Sequence, residues 1–423
     1  MVEKREKDVT ILKGTIIHTP SKDRFECHED AYLIGESGRV TGIFDRIPEQ
    51  YRNVPVRDYG KCMIIPGLSD THVHAPQFAY RGLGTDMQLM DWLNTYAFPT
   101  EAGFADMGFA ETVYSAFADE LVRNGTVRAV VFATLHVPAT IRLMEILEER
   151  KIRALVGKVN MDTLSPDCLC ETPEESLAAT RRWLEETKDR FRYVKPAVTP
   201  RFIPTCSDQV LEGTGKLAAE FDVPIHSHIS EDLGEMAISR SRHPEYDNDG
   251  DVYDHFGLLT DRTVMAHFLY PTEHELELIR DRGVTIACCA QSHGNVAAGI
   301  AKTRRMLDMG IKVGLGSDIA GGCSVSIFRA MSDALYMSKL RYLESGKTEN
   351  FLTASEAFYL GTVGGGQLFG KTGCFLPGYE MDALVIDDTS LAIPGERRTS
   401  EERIERVIHL ADDRNVIERV NPE

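Results

Sequence analysis

Cys-Met-Ile-Ile-Pro-Gly-Leu-Ser-Asp-Thr-His-Val (62–73) is the first of eight β-rich runs that alternate with helical patterns along this chain. The other runs cover 129–136, 152–160, 193–202, 223–230, 263–268, 284–289 and 312–317. Helical patterns lie at 105–124, 138–150, 173–190, 208–221, 272–282, 324–345 and 353–369. This alternation predicts an α/β fold, a (β/α)8 TIM barrel, with an open doubly wound sheet as the competing arrangement.

The two ends of the chain show shorter strand patterns outside the alternating region. Strand-like pieces at 10–17 and 31–35 precede it, and the runs 380–388 and 403–409 after it are also read as strands. We expect both ends to pair with each other as one small β-sandwich domain beside the barrel. The predicted divisions are 1–65 for the N-terminal part of the sandwich, 66–370 for the barrel and 371–423 for the C-terminal part.

Composition and charge limit which kinds of molecule the protein is expected to bind. The 423 residues include 47 basic and 65 acidic side chains, a net charge of −18. Such a chain repels phosphate backbones and anionic lipid, so nucleic-acid polymers and membranes are not expected as partners. No apolar run reaches the roughly 18 residues of a spanning helix. The first residues lack the apolar core of a secretory signal. The nine cysteines are scattered, so we expect the protein to lie in the reducing cytoplasm.

The ends of the predicted strands carry histidines in pairs. The first run ends at His72 and His74, which are two residues apart and so point to the same side of a strand. In an α/β barrel, functional side chains lie at the C-terminal ends of the strands. Two imidazoles placed this way can share one metal ion, although a single such pair is a weak signal.

Three further strand ends carry similar residues. The fifth run contains His226 and His228, of which only one need be a ligand, and Glu231 follows; the sixth run ends at His267, and the eighth at Asp318. Several imidazoles and a carboxylate around one barrel mouth suit Zn²⁺, or Fe²⁺ or Mn²⁺. An open position would hold a water whose pKa falls toward about 7. Glu231 is placed to move protons.

Several segments together resemble the amidohydrolase superfamily and, within it, the guanine deaminases. The more specific similarity is in His-Ala-Pro-Gln (74–77) and Thr-Pro-Arg-Phe (199–202). The similarity covers nearly the whole chain, at 66–77, 91–101, 195–202, 226–231, 264–267, 314–322 and 412–418.

The resemblance implies a barrel with a β-sandwich, one zinc per chain and a homodimer. His72, His74, His228 and Asp318 would bind the zinc, with His267 near or on the metal. Asp318 would take the proton from the attacking water, which adds to C2 of guanine, and His267 would contact this water or the developing oxyanion. Glu231 would protonate N3 and pass a proton to the leaving amine, giving xanthine and ammonia.

The resemblance also implies contacts to the purine. Arg201 offers a fork of donors to O6, and Gln77 both donates and accepts hydrogen bonds. Phe202 would stack or pack on the ring. The stretch 78–104 is interpreted either as a cover over the base or as ordinary packing of a long insertion.

One segment departs from the family pattern. Relatives usually carry His-Cys-Pro-Asn-Ser-Asn where this chain has Cys288 to His293. His293 is interpreted either as a partial replacement for a lost polar contact or as a loop residue, and the loop is preferred. The departure motivates a second hypothesis, deamination of another purine, a pterin or a triazine. A third is a metal- or purine-binding protein without turnover, and the presence of Glu231 and Asp318 argues against it. Lys195 is not expected to bridge two metals.

Overall fold

The computed structural model describes residues 8–421. Residues 1–7, on which the expectation of no secretory signal depends in part, lie outside this range. Residues 422–423, at the end of the predicted sandwich, also lie outside it. In chain order the strands are β1 Val9–His18, β2 Glu26–Glu36, β3 Arg39–Phe44, β4 Val56–Pro66, β5 Leu68–His74, β6 Thr126–Phe132, β7 Arg153–Asn160, β8 Val194–Pro200, β9 Ile225–Ile229, β10 Thr263–His267, β11 Thr285–Cys288, β12 Lys312–Leu315, β13 Ala383–Ile386 and β14 Val416–Val420.

The barrel prediction is confirmed. Strands β5 to β12 form one sheet in sequence order, and their ladders are parallel. Both faces of β5, β6 and β9 are buried, as expected when helices cover the outside of a parallel sheet.

Side chains and turns close the barrel between its first and last strands. The Asp318 amide donates to the His72 carbonyl at 2.9 Å, just beyond the end of β12. The Asp70 carboxylate on β5 accepts from both the amide and the hydroxyl of Ser317. These contacts join the first barrel strand to the end of the last one. The sheet is therefore closed, which excludes the open doubly wound arrangement.

The helices of the structure include one at each of the predicted helical positions, as well as others before, between and after these positions. They are α1 Leu89–Trp92, α2 Phe98–Ala102, α3 Met107–Arg123, α4 Val137–Glu149, α5 Pro173–Thr187, α6 Asp208–Phe221, α7 Leu233–Arg242, α8 Asp249–His255, α9 Glu273–Arg282, α10 Ala290–Asn295, α11 Thr303–Asp308, α12 Ile327–Glu344, α13 Ala354–Tyr359 and α14 Ser400–Leu410. Capping boxes start several of them; at α5, Thr172 and Glu175 exchange side-chain and backbone hydrogen bonds. Within residues 8–421 no helix is long and apolar enough to cross a membrane.

The predicted strand at 403–409 is wrong, because this segment lies inside helix α14. Thr399 caps the helix and forms a capping box with Glu402. Ile404, Val407 and Ile408 are buried at a helical spacing of three and four residues. The β-branched residues suggested a strand, but their period is that of a helix.

The two ends of the chain pair with each other, as predicted, in one β structure. It is a single mixed sheet in the order β14-β13-β4-β1-β2-β3, in which β1 and β4 are parallel and the other neighbours antiparallel. At its junction with the barrel, the buried Arg128 side chain on β6 pairs with buried Asp382 and donates to Ser69 and to the Gly67 carbonyl. This junction lies at the N-terminal ends of the barrel strands, opposite the predicted site.

Candidate metal centre and substrate pocket

The histidines predicted from sequence meet at the C-terminal mouth of the barrel. His72 and His74 end β5, His228 lies on β9, and His267 ends β10. Asp318 lies just beyond β12, and all five of these side chains are buried. The strand ends therefore converge as the barrel geometry requires.

The donor atoms of these residues surround a small space. Oδ1 of Asp318 lies 3.2 Å from Nε2 of His72 and 3.7 Å from Nε2 of His74. Nε2 of His74 and Nε2 of His228 are 3.1 Å apart. His267 belongs to the same neighbourhood, because its ligand atom lies within 4.8 Å of those of His72 and His228.

This donor set fits a divalent cation. Burial lowers the pKa of His74, His228 and His267 well below the usual value, so these imidazoles are neutral and have a lone pair to donate. Nε2 of His72 is buried without a hydrogen-bond partner among residues 8–421 and faces the same space. Imidazole nitrogens and one carboxylate at these separations are the ligands that zinc takes in catalytic sites.

The backbone orients His228 and adopts an unusual conformation at His267 and Asp318. Nδ1 of His228 lies 2.7 Å from the Arg201 carbonyl, which accepts a hydrogen bond from the Nδ1–H group, so that Nε2 keeps its lone pair. Tyr253 donates to the His228 carbonyl. His267 and Asp318 have φ angles of 79° and 47°, in the left-handed region that non-glycine residues rarely adopt. Such strain is common at functional sites.

Only one histidine of the pair on β9 faces the centre. Nε2 of His226 lies 2.7 Å from Nδ1 of His72, behind that ring, whereas His228 faces His74. His226 therefore contacts the site without belonging to the inner group of donors.

Glu231 lies beside the candidate metal ligands. Its Oε2 is 3.4 Å from Nε2 of His267. Burial, and after it the charge of Asp318, raises the pKa of the Glu231 carboxyl well above its usual value, which favours the form that carries a proton. Glu235 accepts a hydrogen bond from the Glu231 amide at 2.8 Å and holds this turn in place.

A cavity extends from these residues. Its wall is formed by His74, Gln77, Leu89, Trp92, Leu93, Arg201, Phe202, His228, Glu231, His267, Ser292, Val296 and Asp318. All the residues predicted to bind metal or substrate line this cavity, except His72, which lies deeper. Segment 78–104 contributes Leu89, Trp92 and Leu93 to the wall, so it covers the cavity.

Glu101 is a residue that the sequence analysis missed. Its carboxylate accepts from both terminal nitrogens of Arg201, at 2.6 and 3.1 Å, and from the Gln77 amide at 3.1 Å. Gln77 in turn accepts from the Ala320 amide at 3.2 Å. Arg201 and Gln77 retain N–H groups beyond those bound to Glu101, and can donate them to a ligand.

The segment that departs from the family pattern begins at the end of β11 and continues into helix α10. His293 lies inside α10 and is buried, with Nε2 3.2 Å from Nδ1 of His267, so its interpretation as a loop residue is wrong. Ser292, in the same segment, lines the cavity. Lys195 is exposed near the start of β8 and donates to the Phe191 carbonyl, away from the site.

The sequence profile described as the Amidohydrolase family matches residues 63–419. The chain belongs to this family. It is 35% identical to the guanine deaminase of Dictyostelium discoideum, over 98% of this chain and 97% of that protein. It is 32% identical to the guanine deaminase of Escherichia coli strain K12, over 92% and 89%. A crystal structure of guanine deaminase from C. acetobutylicum with bound guanine superimposes with a TM-score of 0.95 at 41% identity, over 98% and 99% of the two chains.

Proposed function

We propose that the protein catalyses the hydrolytic deamination of guanine to xanthine and ammonia. One observation carries this proposal: a single cavity joins the candidate metal ligands and Glu231 to a recognition edge formed by Arg201 and Gln77. The similarity to guanine deaminases over nearly the full length, including one crystallised with guanine, supports it.

We propose one zinc per chain, held by His72, His74, His228 and Asp318, with His267 on or next to it; Fe²⁺ and Mn²⁺ suit the same donors. When bound, such an ion supplies Lewis-acid chemistry and lowers the pKa of a water toward about 7. Asp318 accepts a proton from the attacking water at a carboxylate oxygen. His267 contacts the oxygen that adds to C2 of the base.

Glu231 transfers protons on the substrate side. It donates its proton to N3 as C2 becomes tetrahedral, takes up the proton of the hydroxyl that has added to C2, and passes this proton to the departing amino group. The proton held by Asp318, whose carboxylate lies within 4.8 Å of that of Glu231, then restores the acid. The position of its carboxylate, 3.4 Å from His267, puts it within reach of a base bound in the cavity. Leu89, Trp92 and Leu93 exclude water from the other side of the ring.

The other polar wall residues recognise the purine edge. Arg201 donates to O6, and Gln77 offers a donor and an acceptor to the ring. Phe202 is buried at the wall, where its ring packs against the base. Ser292 is the residue of the departing segment that lines the cavity.

The direct test measures ammonia release by purified, zinc-loaded protein offered guanine, adenine, cytosine, 8-oxoguanine, isoxanthopterin and melamine separately. We expect release from guanine, with xanthine as the product. Glu231→Gln should keep its metal and lose about 10²–10⁴-fold in turnover, because general acid–base catalysis is worth about that much. If guanine releases no ammonia but another ring does, guanine is not the substrate, whereas the proposed hydrolytic deamination still holds. Binding without release from any ring would contradict the reaction.

We also propose that the protein acts in purine breakdown, in the cytoplasm and as a homodimer. All nine cysteines are free thiols, which suits a reducing compartment. The dimer follows from the family resemblance, and light scattering on the purified protein measures its mass directly.

A further inference from the structure

Helix α10 places an imidazole directly behind His267. Nε2 of His293 lies 3.2 Å from Nδ1 of His267, and the two ring centres are 5.3 Å apart. Both side chains are buried. The opposite nitrogen of His267, Nε2, faces Glu231. His293 therefore contacts His267 on the side away from the reacting atoms.

The state of one imidazole nitrogen depends on the partner of the other. A neutral imidazole carries one proton, so Nε2 of His267 can present a lone pair only when Nδ1 holds that proton. A buried N–H then needs an acceptor. For His228 the acceptor is the Arg201 carbonyl, at 2.7 Å. For His267, the acceptor found among residues 8–421 is Nε2 of His293.

Polar contacts hold helix α10 in place on two sides. The Gln291 side chain donates to Asp333 on α12 at 2.9 Å and accepts from the Cys323 amide at 2.6 Å. Asn295 donates to the Gly321 carbonyl at 2.7 Å. His293 is thus supported by flanking residues fixed to other elements, which is the arrangement that keeps a supporting side chain in one orientation.

We propose that His293 is a positioning residue for the metal site. Its Nε2 accepts a hydrogen bond from the Nδ1–H group of His267. This bond fixes the tautomer and the orientation in which Nε2 of His267 faces the centre. This inference rests on the proposed function only through the metal site and does not depend on which heterocycle is deaminated.

A different interpretation would make the same residues a second cation site. Donor atoms of His267, Cys289 and His293 lie within 4.8 Å of one another. However, the Cys289 thiol points to the Ala287 carbonyl at 3.6 Å, and the two imidazole nitrogens are at hydrogen-bond distance from each other. The geometry favours a hydrogen bond, and a count of bound metal separates the two interpretations.

The experiment compares His293→Leu, which has no acceptor, with His293→Asn, which has one. Each full-length protein is loaded with zinc, its zinc content is measured, and zinc release to an excess of a chromophoric chelator is followed. Loss of an outer partner of a metal-bound histidine costs about 10–100-fold in metal affinity. We therefore expect weaker zinc retention by that factor for His293→Leu and substantial restoration by His293→Asn. The parent should bind one zinc per chain.

The matched control is His243→Leu, which removes a buried histidine outside the site. It should lower thermal stability without changing zinc retention. The inference is overturned if folded His293→Leu holds zinc as tightly as the parent, or if His293→Asn is as weak as His293→Leu. It is also overturned if the parent binds two zinc ions and His293→Leu one. A parent that keeps zinc but does not deaminate guanine contradicts only the proposed reaction.

Discussion

At the scale of single residues, sequence motifs predicted the residues of the candidate site. They did not predict the neighbouring side chains that fix the orientation of those residues. His72, His74, His228, His267 and Asp318 were predicted because each lies at a strand end. Glu101 was not, because it lies on the short helix α2 and no spacing rule relates position 101 to position 201. The contact becomes visible only when the covering segment folds over the barrel mouth. His293 was misjudged for the same reason: the sequence does not show that α10 turns it toward His267.

Glu101→Gln should selectively impair guanine turnover. The substitution removes the charged partner that holds the Arg201 fork and the Gln77 amide. Because a hydrogen bond to a charged group is worth about 1.5–3 kcal/mol, we expect kcat/KM for guanine to fall roughly 10–150-fold. The loss should be much smaller for 2-aminopurine, which has the reacting amine but lacks O6.

Steady-state kinetics on both purines measure this selectivity. The matched control is Glu186→Gln, which removes an exposed carboxylate paired with Arg190 and should leave both substrates unchanged. Equal losses on guanine and 2-aminopurine would contradict a role for Glu101 in recognising the O6 edge. General destabilisation would not change the ratio of the two substrates.

At the scale of elements, the periodic pattern predicted all eight barrel strands. Their predicted bounds were accurate to a few residues except for the first run, 62–73, which also took in the end of β4 in the other sheet. Parallel strands are buried on both faces, and their β-rich runs are easy to recognise between amphipathic helices. Helix α14 was misread because its apolar residues are β-branched. The region 76–105 could not be resolved from its pattern, since it consists of several short helical segments whose boundaries depend on packing over the cavity.

Trp92→Ala should weaken substrate binding more than it slows chemistry. Trp92 lines the cavity, and its indole N–H donates to the Leu83 carbonyl at 3.3 Å. An aromatic contact is worth about 0.5–1.5 kcal/mol, so we expect KM for guanine to rise roughly 2–12-fold with a smaller change in kcat. Trp92→Phe keeps a ring and should stay close to the parent. An unchanged KM for Trp92→Ala would show that the cover does not contact the base.

At the scale of the whole molecule, the sequence predicted that both ends join one domain, but not the order of its strands. The parallel pairing of β1 with β4 joins residues such as Ile11 and Val56, which are 45 positions apart. The insertion of β13 beside β4 joins Ala383 to Pro66, which are 317 positions apart. No local pattern encodes such pairings. The junction of this sheet with the barrel rests on the buried pair of Arg128 and Asp382, which also had no signature in the sequence.

Asp382→Asn should destabilise the protein while leaving its chemistry intact. The substitution leaves the Arg128 charge buried without its partner, and breaking a buried pair in this way costs about 3–5 kcal/mol. We expect a lower midpoint of urea unfolding, measured by circular dichroism. Turnover at low temperature should be unchanged, because the pair lies at the opposite end of the barrel from the site. Asp412→Asn, which breaks an exposed pair with Arg414, should cost less than about 1 kcal/mol. Equal shifts for the two variants would contradict the role given to the junction.

The closure of the barrel also bears on how the protein is made. Asp70 and Ser317, which join β5 to the end of β12, are 247 positions apart, and the proposed metal ligands begin at His72 and end at Asp318. A nascent chain that has not yet delivered residue 318 holds only part of the donor set. Since domains fold as units and a cation binds tightly only to a complete site, metal capture comes after synthesis of the last barrel strand. Metal content therefore distinguishes chains that extend past residue 318 from chains that stop before it.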